Sequence, residues 1–279
     1  PCQERSGGKR VQPTLSSLKK GINTYCLAGN QCDPYKSVFS RCFMFITVFG
    51  QKGGVAKTCT SVHLAACWSH QQKRVILVDA DRNRSATAYG ARGLLPFPTV
   101  PIEAAAKATR SAEIVITDGQ ASSNEEEMKN LVEGADFILL PTTMQSRSVE
   151  LTVEMSQMLR QYKVPYAALL VKVDARKEAA AMQAKDLLQR FDIKVLIAQI
   201  PLLSAFEQAE TEGVTVDQAI DKRGRANPRR MMGWTAYSAA CKEIEGIFEG
   251  LRKQDQRQSP IGWDLSLIHI SEPTRQFRI

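Results

Sequence analysis

The 279 residues carry 43% hydrophobic side chains, enough to bury one substantial α/β core. No apolar run approaches the ~18–20 residues needed to cross a bilayer, which excludes a helical membrane span within the sequence. The formal charge of +8 invites a nucleic-acid partner, but residues 44–258 hold 28 Lys/Arg and 25 Asp/Glu, a net of only +3, so any such argument must rest on local clusters.

Residues 1–43 lack apolar periodicity, are rich in Ser, Gly, Lys and Arg, and carry a net of +5. Four of the seven cysteines fall here (Cys2, Cys26, Cys32 and Cys42), at spacings that match no zinc-ligand pattern. Met44 stands immediately before the first strand. Residues 1–43 are therefore read as upstream sequence translated in frame, against the alternative of a basic, disordered arm that touches DNA or a partner. The remaining Cys59, Cys67 and Cys241 form no Cys-x-x-Cys pair and no secretory signal is present, so the body is expected in a reducing compartment.

The body opens with the apolar run Phe45-Ile46-Thr47-Val48-Phe49, then Gly50-Gln51-Lys52-Gly53-Gly54-Val55-Ala56-Lys57-Thr58, then a helix over Cys59 to His70. Strand, glycine loop and helix are the context of a phosphate-binding loop. Gly53 and Gly54 let the backbone turn its N–H groups toward phosphates, and the helix adds the positive end of its dipole. Lys57 is expected to reach the β- and γ-phosphates and Thr58 to ligate Mg²⁺. Two features depart from the common G-x-x-x-x-G-K-[ST] form: Ala56 precedes Lys57, and a second lysine, Lys52, opens the loop. Read as K-G-G-x-x-K-[TS], the segment resembles the deviant phosphate loop of the ParA/MinD family of ATPases. The resemblance implies that Lys52 reaches the partner's ATP in a nucleotide-sandwich dimer, and that Lys52 to Cys59 (Lys52, Gly53, Gly54, Val55, Ala56, Lys57, Thr58 and Cys59) contact nucleotide. His63 and Cys67, on the following helix, are expected to be structural.

Arg74 to Asp79 forms a continuous apolar strand ending in acid, and it leads into Asp79-Ala80-Asp81-Arg82-Asn83-Arg84-Ser85-Ala86-Thr87. Carboxylates at the end of a central strand face the ligand crevice of an open α/β sheet. This segment resembles the family's D-x-D-P-Q-x-x-A-[TS] switch, which makes Asp81 the residue that positions water and Asp79 a support for the metal. Arg82, Asn83 and Arg84 depart from that pattern. Residues 88–112 are a Pro-punctuated connection with one helical piece near Ile102 to Thr109. Glu113 to Asp118 then reads as a further strand whose terminal Asp118 would bind Mg²⁺. Gly119-Gln120-Ala121 stands where the family has Thr-Pro-Pro or similar.

A helix from Glu125 to Gly134 leads into Ala135-Asp136-Phe137-Ile138-Leu139-Leu140-Pro141, which is similar to the family's A-D-x-V-[LI]-[IL]-P strand. Helix 147–161, strand 166–171, helix 177–190 and a strand from Lys194 to Ile200 continue the alternation. Lys172 and Asp174 fall where the family contacts the base, with Asp174 as an adenine reader or equally a solvated strand end, and Pro201 borders the same pocket. Ala205-Phe206-x-x-Ala209-x-x-x-Gly213-x-Thr215-Val216 also resembles partition ATPases. Lys222, Arg223, Arg225, Arg229 and Arg230 place five cations in nine positions, a candidate DNA-backbone patch or a solvated basic loop. The last helix, Met232 to Lys253, puts Ile244, Ile247, Phe248 and Leu251 on one stripe that is expected to pack on the sheet. Residues 266–275 read as translated adapter sequence and are set aside from the fold.

The expected organisation is an N-terminal extension (1–43), an ATPase domain (44–253) and an unstructured tail (254–279). The fold class is α/β: a doubly wound, mostly parallel sheet of the P-loop NTPase, SIMIBI-like kind. The resemblance implies an Mg²⁺-dependent, cytoplasmic and nucleoid-associated ATPase. It would form a homodimer on ATP, bind DNA non-specifically, and be released when a ParB-like or adaptor protein stimulates hydrolysis; membrane contact is not expected. Alternatives are a MinD-like membrane-cycling positioner, a dethiobiotin-synthetase-like enzyme, or an iron–sulfur relative of the nitrogenase iron protein. Lys52 counts against the enzyme, and the positions of Cys59, Cys67 and Cys241 count against a cluster on a dimer axis.

Overall fold

The computed structural model describes residues 16, 17, 19, 44–119 and 125–258. The readings of residues 1–43 as an extension and of 266–275 as adapter sequence fall outside it, apart from Ser16, Ser17 and Lys19. Lys19 pairs with Asp136 and donates to the Ala135 carbonyl.

Seven strands run parallel in one sheet: β1 (Met44–Val48), β2 (Val75–Asp79), β3 (Thr99–Pro101), β4 (Ile114–Asp118), β5 (Phe137–Thr142), β6 (Tyr166–Val173) and β7 (Val195–Pro201). Their order, β3-β2-β4-β1-β5-β6-β7, puts β1 at the centre with β4 and β5 as neighbours. The order in which strands are added reverses at β1, and ligands of such sheets sit beyond the strand C-termini at that point. Strands β1, β2, β4 and β5 are buried at every position. This accounts for their unbroken apolar runs, since a parallel sheet is covered on both faces.

Helices alternate with the strands: α1 (Lys57–His70), α2 (Ser85–Gly90), α3 (Ala105–Ala108), α4 (Glu125–Glu133), α5 (Ser146–Leu159), α6 (Glu178–Arg190), α7 (Ser204–Glu212) and α8 (Arg230–Gln258). Phe45, Phe49, Ile138 and Leu140 on one face of the sheet pack with Met128, Leu131 and Val132 of α4 and with Met155 and Leu159 of α5. Ala184 and Leu188 of α6 extend that layer over Ala168 and Leu170. Ile46 and Val48 alternate to the opposite face, the one that α1 covers across β1, β2 and β4. Burying one leucine-sized side chain in such a core contributes roughly 1.5–3 kcal/mol.

The differences from the sequence reading are local. The helical piece expected near Ile102 to Thr109 is a single α-turn, α3, flanked by 3₁₀ turns. Just before it, Thr99–Pro101 joins β2 as an edge strand; three residues with a terminal proline carry too little periodicity to be seen in advance. Six-residue α2 is likewise hidden inside the switch-like segment. The chain divides into two compact units, residues 1–243 and 244–279, so the stripe at Ile244, Ile247, Phe248 and Leu251 lies in the second.

Candidate functional site

The loop between β1 and α1 is shaped by two left-handed residues, Gly54 at φ 77 and Ala56 at φ 58. Glycine adopts this region without penalty, whereas for alanine it costs roughly 1–2 kcal/mol, so Ala56 holds local strain beside the site. The turn delivers Lys57 and Thr58 to the first turn of α1. Lys57 is buried, and its Nζ donates to the Lys52 carbonyl at 3.3 Å.

Two carboxylates lie beneath the loop, at the ends of β2 and β4. Asp118 is wholly buried; its Oδ2 accepts from Thr58 Oγ1 at 2.7 Å and its Oδ1 from Ser61 Oγ at 3.0 Å. Burial pushes its carboxyl up to about 7, further raised by the nearby Asp79, while the two hydroxyl donors and Lys57 pull the other way. Asp79 is also wholly buried. Its two oxygens accept the backbone N–H groups of Asp81 at 3.1 Å and Thr87 at 2.7 Å, so the carboxylate shapes the 80–87 segment from behind. Asp81 Oδ1 accepts the Asn83 N–H at 2.9 Å, closing a tight turn. Arg84, at φ 55, donates to the Asp79 carbonyl and pairs with Glu103, so this departure from the family pattern is an anchor for the segment. Gly119 also has a steric reason: a Cβ there would lie 3.0 Å from the Val48 carbonyl oxygen and 3.1 Å from the Phe49 ring.

A cavity of about 400 Å³ opens above these groups. Gly53, Gly54, Ala56, Lys57, Thr58, Cys59 and Asp81 line one end; Lys172, Pro201, Leu203, Phe206, Glu207, Glu210 and Tyr237 line the other. Its lining is mixed, with Pro201, Leu203 and Phe206 supplying apolar surface beside the charged Lys172, Glu207 and Glu210. Lys172, at φ 55, sits where the β6–β7 register shifts between Leu170 and Val173. Cys59 lines the cavity, but burial pushes its thiol up to about 12, which makes it a poor nucleophile.

Asp174 is not brought to this cavity. Its carboxylate accepts from the backbone N–H and guanidinium of Arg176, whose hydrogen bond holds it down at about 2, and it lines a separate groove between β6, α6 and α8. Within the basic cluster, Arg225 pairs with Asp221, and Arg230 donates to the carbonyls of Asp217 and Asn227. Lys222, Arg223 and Arg229 are exposed.

Sequence reasoning missed several residues of the site. Ser61 lies one helical turn beyond Thr58, a spacing that could have marked it. Tyr237 joins from 177 residues beyond Thr60, whose hydroxyl it meets at 3.1 Å, and no local pattern announces it. Tyr237 stacks on His63 at 4.9 Å. His63 is wholly buried: its Nε2 accepts the Val216 N–H at 3.0 Å, which leaves Nδ1 to donate to the Cys59 carbonyl at 2.7 Å. Burial lowers it to about 4, so it is neutral and structural.

A family model described as the CobQ/CobB/MinD/ParA nucleotide binding domain matches residues 46–216. Maintenance of carboxysome distribution protein A of Gloeobacter kilaueensis is 29% identical over 188 residues, covering 64% of this chain and 87% of that protein. Among solved structures, the MinD cell division protein of Aquifex aeolicus superposes with a TM-score of 0.56 at 16% identity, over 73% of this chain and 97% of that one. A plasmid partition protein of Borrelia burgdorferi bound to AMPPNP gives 0.53 at 15% identity, over 72% and 99%. At those identities the structural likeness speaks for the fold alone.

Proposed function

Because the chain belongs to the CobQ/CobB/MinD/ParA nucleotide-binding family, we propose that it is a positioning ATPase that pairs around ATP and grips DNA only while paired. The observation that carries this reading is the loop itself, with Lys57 buried at the start of α1 and a second lysine, Lys52, five residues earlier at its mouth. In this reading one lysine serves the nucleotide of its own subunit, and the other would reach a partner's triphosphate once the subunits pair.

In this reading the backbone of residues 53–59 and Lys57 hold the phosphates, while Lys172 and Pro201 line the base end. Asp81, at the cavity wall, positions the attacking water. The oxygen donors beneath the loop suit a hard cation, so Thr58 and Asp118 would hold Mg²⁺, with Asp79 fixing the segment behind them, and the ion would neutralise charge on the phosphates. Asp174 is left without a nucleotide role. Hydrolysis ends pairing and so releases DNA, and a ParB-like or adaptor protein that accelerates it would set where release occurs. The gain from pairing is one of effective concentration: two weak patches held together bind ~10²–10⁴ times more tightly than one.

Retention on DNA should therefore occur for wild type with ATP, and not with ADP or for Lys52→Ala with ATP. Filter binding or biolayer interferometry on the full chain reads this directly. Nucleotide-independent retention, or none in any state, removes the DNA-switch reading; sedimentation with anionic vesicles under ATP would then favour a membrane-cycling protein.

The exposed members of the basic cluster whose side chains are not tied to Asp221 or to the 217–227 backbone (Lys222, Arg223 and Arg229) should carry the DNA backbone. Replacing Lys222, Arg223 and Arg229 together by alanine is expected to weaken binding at least tenfold and to flatten its salt dependence by about 0.9 in log–log slope for each phosphate left unneutralised. Arg225→Ala and Arg230→Ala should instead act mainly on stability, since those guanidinium groups tie the 217–230 segment together. Equal salt slopes for wild type and the triple variant would place the DNA surface elsewhere.

A further inference from the structure

Lys52 does not extend away from its own subunit. Its Nζ donates to the side-chain carbonyl of Gln145 at 2.6 Å. The two are 93 residues apart, but they leave the sheet from adjacent strands, β1 and β5, where Val48 pairs with Leu139. Gln145 has a fixed backbone: it precedes α5 with φ −72 and ψ 133, and its carbonyl accepts the N–H groups of Ser148 and Val149 at 2.8 and 3.1 Å. That position favours Ser, Thr, Asp or Asn, whose short side chains turn back to cap the helix. Gln145 makes no side-chain cap; its amide oxygen is directed to Lys52 instead.

We propose that Gln145 is a positioning residue for Lys52, a neutral latch that holds the lysine on its own subunit until a partner's triphosphate competes for it. The inference rests on the reading of Lys52 given under Proposed function. The chemistry makes the latch weak. An amide oxygen carries no net charge, the pair is open to solvent, and the start of α5 carries the positive end of a helix dipole that disfavours a nearby ammonium group. A triphosphate, with several charges, takes the amine readily. A carboxylate at position 145 would reverse this balance, because it attracts the ammonium group and is itself favoured at a helix start.

The test is pairing of the full chain with a non-hydrolysable ATP analogue, followed by sedimentation velocity, for wild type, Gln145→Glu and Gln145→Ala. Gln145→Glu should raise the dimer dissociation constant about tenfold at low salt, and much less at about 0.5 M salt, where a partly exposed ion pair is screened. Gln145→Ala should lower it about two- to threefold. Analogue affinity, titrated at concentrations where each protein is a monomer, separates a defect in pairing from a defect in nucleotide binding. Equal weakening by both variants, or constants within twofold for all three proteins, overturns the latch. A wild type that binds the analogue and stays monomeric overturns the pairing reading, and the latch with it.

Discussion

Lys57→Ala is expected to lower ATP affinity at least about a hundredfold and to remove measurable hydrolysis, while the fold survives. Lys57 is the buried cation of the loop, its ammonium group 3.3 Å from the Lys52 carbonyl and facing the cavity end bounded by Gly53, Gly54 and Thr58. Its removal costs the triphosphate one or more charge-assisted hydrogen bonds in a partly desolvated site, each worth about 1.5–3 kcal/mol. Unfolding should shift little, because the amine's own partner in the protein is a loop carbonyl. Lys57→Arg should not rescue, since a planar five-donor fork needs room that a buried four-carbon stem does not. Lys52→Ala provides the contrast. It should leave the affinity of the monomer for ATP within about threefold while abolishing ATP-dependent pairing, because its amine is bound outside the phosphate cradle. Isothermal titration with a non-hydrolysable analogue reads both. Affinity of Lys57→Ala within threefold of wild type would mean that the loop does not hold phosphate.

How much of this is legible in advance depends on whether the signal is local. The loop, the acid-terminated strands and the order of α/β units are written in contiguous residues, because a strand buried on both faces must be apolar throughout and a phosphate turn needs its glycines in sequence. Strand β3 is not legible, because three residues set no period. The far wall of the cavity is legible only in part: the family pattern points to Lys172 and Pro201, but nothing points to Tyr237. Tyr237 packs there with His63 and Phe206, a contact among segments more than 140 residues apart that no local pattern announces. Asp174 shows the opposite failure: its place in a motif suggests a base contact, but a neighbouring guanidinium two residues on captures the carboxylate. Arg84 departs from the family pattern, and only the structure shows that its guanidinium anchors Asp79 and Glu103.

Asp118→Asn is expected to stabilise the fold at pH 8 and at the same time to lower hydrolysis by a hundredfold or more. The carboxylate is buried at the end of β4 with two hydroxyl donors, and its pKa is pushed up to about 7 from the usual 3.8. A raised acid pKa means that the folded state binds the proton more tightly than the unfolded state. Its contribution is therefore most favourable below pH 3.8 and is lost as pH rises to 7, a penalty of order 4 kcal/mol above that. Asparagine keeps the shape without the charge. A gain of about 1–3 kcal/mol, or several degrees in Tm, is expected. His63 has the opposite sign. Its pKa falls to about 4 because burial disfavours the charged imidazolium, so its contribution is complete above pH 6.5 and is lost as pH falls to 4. Between about pH 4 and 6.5 the two groups oppose each other, one proton bound early in the folded state and one bound late. Wild-type stability should be nearly flat there, and Asp118→Asn should fall by about 3 kcal/mol as pH drops over the same range because His63 is left unopposed. Urea midpoints at several pH values test this, and parallel profiles for the two proteins would refute it. On the proposed reading the site carries a destabilising charge that hydrolysis would need, and removing it should expose in the pH profile what the fold tolerates at neutral pH.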